Sequence, residues 1–491
     1  MKMRVLFFNP AVGYYTRAIS NPLGLLALAS YLKERGREVK IVDRCVSKTN
    51  IEKEIDRFLP DAIGISLMSG RGLKDSEKIS ALAKKRGIPV IAGGYFPTMS
   101  PEFVLDSGLA DIVVLREGEI TFDEVLSALK NKTPLEDVLG IAYKKDGKVC
   151  VNADRPFADL SEFPQIDWSL VNPKDYFQTF FNCTKMLYLY SSKGCPGRCT
   201  FCSNHFYNRS TFRKRPNEIV IKEIKNLVEN YGMNGVYFSG ELWCAKKSDA
   251  YDFCEKVKAE NLKFTWGMLS KVGQYDREDL KMMHDAGCRF ICFGVESGSP
   301  EMQRSLRKNV NLEKGRETFK NCRELGITSV ASFMIGLPGE TEAQLTETIE
   351  YIKSIEASII LIYMFSPVEN TDIYNELAAQ GKIGAENRNS AFFKKHITME
   401  NPGYNFSLIS DRELKVIKAF FDWKSFSGKD TVNDSFGYAF AFQTIANGLK
   451  SISKNGAVSF FINGFKALKE FLTVFYYSHR YPSVLKKYNL K

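Results

Sequence analysis

Short apolar runs separated by amphipathic stretches recur along most of this chain, and that rhythm restricts the fold more than any other feature. The first train is Val5–Phe8, Val39–Val42, Ala62–Leu67, Val90–Ala92 and Ile112–Leu115, with helical segments between, such as Leu25–Glu34 closed by Gly36. The second is Met186–Tyr190, Val236–Phe238, Phe264–Trp266, Phe290–Val295, Val330–Ile335 and Ile359–Phe365. Uninterrupted apolar runs need cover on both faces, which parallel strands with helical crossovers receive. The spacers have helical period: Val220, Ile224, Leu227 and Val228 share one face, with Pro216 suited to a first turn and Gly232 to an end. The expected class is therefore α/β. A doubly wound, Rossmann-like domain spans residues 1–135, a linker 136–180, a partial (β/α)6 barrel 181–375 and a mostly helical region 376–491. In both α/β arrangements, ligands meet the carboxyl ends of the strands.

Directly after the first strand of the second train stands Lys193-Gly194-Cys195-Pro196-Gly197-Arg198-Cys199-Thr200-Phe201-Cys202. A structural zinc site takes four protein ligands, usually as two C-x-x-C pairs, and no second pair occurs at a suitable distance. Three thiolates in one tight loop suit a cubane iron-sulfur cluster, which ordinarily takes four cysteines, so one iron is left open for another ligand. Gly194 and Gly197 let the loop wrap an inorganic core. Glu241 and Glu296 end the runs Val236–Phe238 and Phe290–Val295, in register with that loop, where a parallel barrel carries its chemistry. Of the eleven cysteines, Cys45, Cys150, Cys183, Cys254, Cys288, Cys292 and Cys322 read as core, and the odd count argues against a disulfide framework. Cys244 reads as a packing thiol, with a place facing the Glu241 cleft as the alternative. In the first domain neither G-x-G-x-x-G nor G-x4-G-K-[ST] occurs, which excludes the usual dinucleotide and nucleoside triphosphate sites.

C-x3-C-x2-C with an aromatic before the last cysteine resembles the cluster loop of the radical S-adenosylmethionine (SAM) enzymes. Phe238-Ser239-Gly240-Glu241 is similar to that family's strand end facing the SAM amino group, and Phe293-Gly294-Val295-Glu296-Ser297 to the strand reaching its ribose and methionine. Phe333-Met334-Ile335-Gly336-Leu337-Pro338-Gly339-Glu340-Thr341 resembles the turn beside the adenine, and Asn370–Tyr374 echoes a Pro-Gly-Thr segment. The resemblance implies a 4Fe-4S cluster on Cys195, Cys199 and Cys202, with SAM met by Gly240, Glu241, Glu296, Ser297 and Gly336. It also implies reductive cleavage of the SAM sulfonium to a 5'-deoxyadenosyl radical.

The first domain resembles the cobalamin-binding domain fused in front of many such enzymes. The residues that carry the likeness are Asn21-Pro22-Leu23-Gly24-Leu25-Leu26, Gly93-Gly94 with Thr98, and Glu117-Gly118-Glu119 before Thr121-Phe122. Leu139–Tyr143, Asp154-Arg155-Pro156 and Phe163-Pro164 fit the same architecture. The implied cobalamin residues are Leu23, Gly24, Ser66, Gly93, Gly94, Thr98, Glu117 and Gly118. No histidine precedes His205, and Phe96 stands where the fused family often has one, so any cobalt is expected to be held without histidine.

The activity implied by the resemblance is that of a class B radical SAM methyltransferase acting on an unactivated carbon of a small or lipid-like substrate, with electrons from a reductase, flavodoxin or ferredoxin. The alternatives are a non-methylating oxidative cyclisation or rearrangement, and a non-catalytic corrinoid or cluster sensor. Methylthiotransfer fits less well, because only Cys45, Cys150 and Cys183 precede the loop. The net charge of +11 is spread along 491 residues without a compact basic and aromatic array, which argues against nucleic acid. A basic run, Arg209, Arg213, Lys214 and Arg215, reads as solvated surface charge, with the SAM carboxylate or an anionic substrate as the alternative partner. No run is apolar and long enough to span a membrane, and a cytoplasmic protein is expected. Asp411–Phe426 reads as helix. The tail beyond it sets Phe460, Phe461, Ile462, Phe465, Leu468, Phe471 and Leu472 among Lys454, Lys466 and Lys469, a pattern that reads first as docking on the barrel, with capping a substrate channel or touching a membrane surface as alternatives.

Overall fold

Strands form where the apolar runs stand. The computed structural model describes residues 2–12, 20–47, 49–68, 72–180, 183–383 and 405–427, together with 472, 476–477 and 480–490. In the first sheet β1 (Arg4–Asn9), β2 (Glu38–Asp43), β3 (Ala62–Ser66), β4 (Val90–Gly93) and β5 (Ile112–Val114) pair in parallel in the order β2-β1-β3-β4-β5. Alternate residues feed opposite cores: Leu6, Phe8, Ile63 and Ile65 pack on one face, Val5, Phe7, Ala62 and Phe122 on the other. This is the doubly wound arrangement expected. The stretch read as a linker adds an antiparallel hairpin to the same sheet, β6 (Ile141–Lys145) and β7 (Lys148–Val151), turning through Asp146 and Gly147 at positive φ.

The second sheet opens with an antiparallel edge strand, β8 (Gln178–Phe180), before β9 (Cys183–Leu189), and a small hairpin, β10 (Ser192–Gly194) with β11 (Phe212–Lys214), interrupts the succession. Then come β12 (Gly235–Phe238), β13 (Thr265–Lys271), β14 (Cys288–Glu296), β15 (Thr328–Ile335) and β16 (Ile359–Met364). Across the sheet the order is β16-β15-β14-β13-β12-β9-β8. β9 and β12 to β16 run parallel, so six strands make the expected partial barrel. Helices cover its outer face: Phe238 meets Phe253 at 5.4 Å, Phe293 meets Phe319 at 5.4 Å and Phe333 meets Tyr351 at 6.2 Å between ring centroids. The helix Asn217–Tyr231 begins after Pro216 and stops at Gly232, φ +69°, as its sequence predicts. On the opposite face Tyr188, Tyr237 and Phe290 form a row, with centroids 5.6 and 5.8 Å apart.

The helix Asp411–Ser427 forms as expected and packs on β16 through buried residues that include Leu414 and Ile417. The tail residues Phe460, Phe461, Ile462, Phe465, Leu468 and Phe471, and the lysines among them, lie outside the described residues. Among the described residues no helix is long and apolar enough to cross a membrane. The chain forms two compact units: Met1–Tyr176 contains the first sheet, and Phe177–Lys382 with the described residues from 405 onward contains the second.

Candidate active site

The ladder between β10 and β11 pairs Ser192 with Lys214 and Gly194 with Phe212, closing the chain between them into a loop that carries all three cysteines. Gly194 sits at φ +83°, and a Cβ there would fall 2.2 Å from the Thr211 carbonyl oxygen, so only glycine lets the ladder close. At Gly197 a Cβ would lie 3.4 Å from Cys195 Sγ and 3.8 Å from Cys199 Sγ, so two thiols flank a residue that leaves the space between them empty. Asn204 Nδ2 donates to the Cys195 carbonyl at 2.6 Å, and the Cys202 amide to the Cys199 carbonyl at 3.0 Å. From outside, the Thr200 amide donates to the Leu306 carbonyl at 3.0 Å and its carbonyl accepts the Ile373 amide at 3.1 Å. Burial pushes the Cys202 thiol up to about 11 and raises Cys199, against the pull of the Lys308 ammonium on Cys199. Among the described residues no three His, Cys, Asp or Glu side chains converge on a single ion. Free, half-buried thiols around a bare Gly197 are a donor set suited to a larger sulfur-rich core.

Glu241, past the end of β12, braces this loop. Its two oxygens accept from the Gly194 amide and from Asn208 Nδ2, each at 3.0 Å, and Asn208 also donates to Asn204 Oδ1 at 3.1 Å. Glu296 ends β14 at a register shift and at φ +73°, a conformation side chains seldom take and one that clusters at working sites. Its Oε1 accepts from Lys308 Nζ at 3.1 Å. A Cβ at Gly294 would stand 2.4 Å from that oxygen and 2.9 Å from the ammonium, so this glycine makes room for the pair. Burial works against the charge of Lys308, but Glu296 and the Cys199 thiol hold its pKa above the ordinary value. Nothing in the spacing of motifs points to Lys308. It arrives twelve residues after Glu296 through the turn at Arg307, φ +49°.

Three expectations change. Ser297 is fully buried on the other side of the strand end, with its Oγ 3.0 Å from Thr348 Oγ1, so its hydroxyl does not reach the Glu296 cleft. In the basic run, Arg215 is buried against Glu223 at 2.7 Å and donates to the Tyr190 carbonyl at 2.9 Å, which makes it a structural residue. Cys292, in register with Leu269 and Val330, is only half-buried, as are Cys45 and Cys150. Cys244 is buried, its thiol pushed up to about 12 by desolvation, as fits packing. Gly240 follows β12 and stands 3.5 Å, at its Cβ position, from the Ser192 carbonyl.

Gly336 turns at φ +76° after β15, and its amide donates to Glu340 Oε2 at 2.7 Å. Glu340 is fully buried; Oε2 also accepts from the Leu337 amide at 3.3 Å, while Oε1 has no partner among the described residues. Burial pushes this carboxyl up to about 7, above its ordinary value. A raised folded pKa means that the stabilising contribution is complete below the unfolded value of about 4.3 and is lost as pH rises through about 7. Glu340→Gln should remove that loss: thermal unfolding at about pH 5 and about pH 8 should differ less in the variant, by up to about 3 kcal/mol of stability.

The cobalamin candidates lie along the carboxyl ends of the first sheet. Leu23 and Gly24 open the helix Leu23–Glu34, with no atom of the described residues within 4 Å of the Gly24 Cβ position. Ser66 ends β3, in register with Gly93, and Glu117 and Gly118 are half-buried after β5. Gly94 has φ +101°, and a Cβ would fall 2.9 Å from the Leu67 carbonyl oxygen. Thr98 is buried and fully engaged, donating to the Gly94 carbonyl at 2.9 Å and accepting the Arg116 amide at 2.8 Å, so it shapes the rim from behind. Glycines at 24, 93 and 94 put no side chain on these strand and helix ends, which suits the close approach of a broad ligand.

Residues 189–352 match the Radical SAM superfamily and residues 12–126 match the B12 binding domain. The uncharacterized methyltransferase PH0819 of Pyrococcus horikoshii is 29% identical over 369 residues, 74% of this chain and 79% of that protein. The anaerobic magnesium-protoporphyrin IX monomethyl ester cyclase of Rubrivivax gelatinosus is 26% identical over 398 residues, 78% of this chain and 71% of that protein. In fold, the chain is similar to the radical SAM methyltransferase TsrM of Kitasatospora setae, solved with cobalamin and a 4Fe-4S cluster. The TM-score is 0.65 at 16% identity, covering 77% of this chain and 75% of that one.

Proposed function

Because this chain belongs to the radical SAM enzymes that carry a B12-binding domain, we propose that it transfers a methyl group to an unactivated carbon of a small molecule. The observation that carries this reading is the presence, in one chain, of a three-thiol loop braced by Glu241 and a histidine-free rim suited to a corrinoid. The cofactors of the family are a 4Fe-4S cluster, SAM and cobalamin; bound, they supply one-electron cleavage of the sulfonium and a transferable methyl group. The residues of the chain do the rest. Cys195, Cys199 and Cys202 would hold the cluster, and Glu241 fixes the loop through Gly194 and Asn208. Lys308, oriented by Glu296, would offer its ammonium to the carboxylate of a bound SAM. The Gly336 turn would meet the adenine, and the row of Tyr188, Tyr237 and Phe290 would help keep water from the inner face. Hydrogen would leave the substrate as an atom, taken by the 5'-deoxyadenosyl radical, so no general base is obligatory. Reduction needs an external donor such as a reductase, flavodoxin or ferredoxin, and a reducing cytoplasm suits the thiolates.

Lys308→Met should weaken SAM binding about tenfold or more in equilibrium dialysis on cluster-loaded protein, with Lys308→Arg recovering most of it. The reading itself is tested on protein purified without oxygen from cells supplied with cobalamin. Cyanide extraction should release about one dicyanocobalamin per chain, and SAM with a deuterated methyl should then mark the product. Corrinoid-free, cluster-bearing protein would leave a cobalamin-independent enzyme. The second reading is oxidative ring closure, supported by the 26% identity to the cyclase; it expects SAM cleavage and a product without the label.

A further inference from the structure

Met68 is among the most exposed large apolar side chains of the described residues, with 68% of its surface open. Its position is not an ordinary surface site. It stands just past the end of β3, and β3 lies beside β1, where the order β2-β1-β3-β4-β5 reverses. Sheets of this order bind planar ligands at that reversal, outside the carboxyl ends of the strands.

The backbone just before residue 68 is held in place. The Leu67 amide donates to the Gly93 carbonyl at 2.9 Å and the Leu67 carbonyl accepts the Phe96 amide at 3.0 Å, so residue 67 is clamped across the ends of β3 and β4. Its side chain turns inward, 2% exposed and with Cδ2 3.1 Å from the Cβ position of Gly72. Met68, next in sequence, is exposed, at the end of the sheet where Gly93 and Gly94 carry no side chains. A flexible, polarizable thioether adapts its shape to what it covers. It is also a far weaker donor to cobalt than imidazole, and no histidine precedes His205.

Resting on the cobalamin reading of this unit, we propose that Met68 lies beneath the corrin ring as an apolar cover, keeping water and protein nitrogen away from the protein-facing side of the cobalt. The chain would then keep that face weakly coordinated by shape, without a ligating side chain.

The test is the paramagnetic resonance and visible spectrum of cobalt(II) corrinoid bound to the full chain and to three variants, each brought to about one corrinoid per chain. Met68→His should introduce the nitrogen splitting of an axial imidazole, Met68→Ala should show a water-ligated cobalt, and Met68→Leu should reproduce the unaltered spectrum. If Met68→His does not retain corrinoid, Met68→Ala decides. Nitrogen splitting in the unaltered chain overturns the proposal, as does an unaltered spectrum in both Met68→His and Met68→Ala, or a water-ligated spectrum in Met68→Leu. An unaltered chain that binds no corrinoid is a separate result: it overturns the cobalamin reading on which the proposal rests.

Discussion

Cys199→Ala should leave a folded protein that has lost its iron and sulfide and no longer cleaves SAM, a fall in cleavage beyond about 100-fold. The loop around it is pinned through other atoms, Thr200 to Leu306 and Ile373 and Asn204 to Cys195, so the scaffold survives the loss of one thiol. The cluster does not, because two thiolates cannot replace three on a core that ordinarily takes four, and disturbing even an outer partner of a metal site costs about 10- to 100-fold. Iron and sulfide content, the visible spectrum and 5'-deoxyadenosine release check the outcome together. Full cleavage activity in this variant would refute the assignment of the loop.

Gly194→Ala should be the most damaging single-methyl substitution near the site. The residue would take a positive φ that costs about 1 kcal/mol and place a carbon 2.2 Å from a backbone oxygen that the β10–β11 ladder holds still. Relieving that overlap costs about 1–3 kcal/mol more, or opens the ladder. Gly36→Ala is the control, since Gly36 has φ +77° but nothing within 4 Å of its Cβ position. Its melting temperature should fall by the positive-φ cost alone, whereas Gly194→Ala should lose several times more and carry substoichiometric iron.

The parallel strands were legible because strands covered on both faces read as unbroken apolar runs, and the helix ends because Pro216 and Gly232 mark them. β13 reads short: it continues through Leu269, Ser270 and Lys271, where the apolar run has already ended. The β6–β7 hairpin carried its own signal, Asp146-Gly147, inside a stretch read as a linker. The cysteine loop was legible because its ligands are neighbours in sequence. Lys308 was not, because a turn rather than a motif brings it to Glu296. Ser297 and Thr98 show the other limit: residue type suggested a contact, but strand alternation and a buried hydrogen bond turned each hydroxyl away from its cleft.

The β10–β11 ladder has a consequence for assembly. The pairs Ser192–Lys214 and Gly194–Phe212 join residues close in sequence, and Glu241 adds its clasp from the next strand end. The ladder contacts, being the shorter in separation, are favoured early, ahead of the longer-range pairings that complete the parallel sheet. The ladder thus fixes both ends of the loop through protein contacts, so the cluster proposed for it would meet a site already held in place. Chelation should therefore be reversible, returning the apoprotein to the folded pool rather than to an unfolded chain, with reconstitution limited by metal delivery and not by refolding.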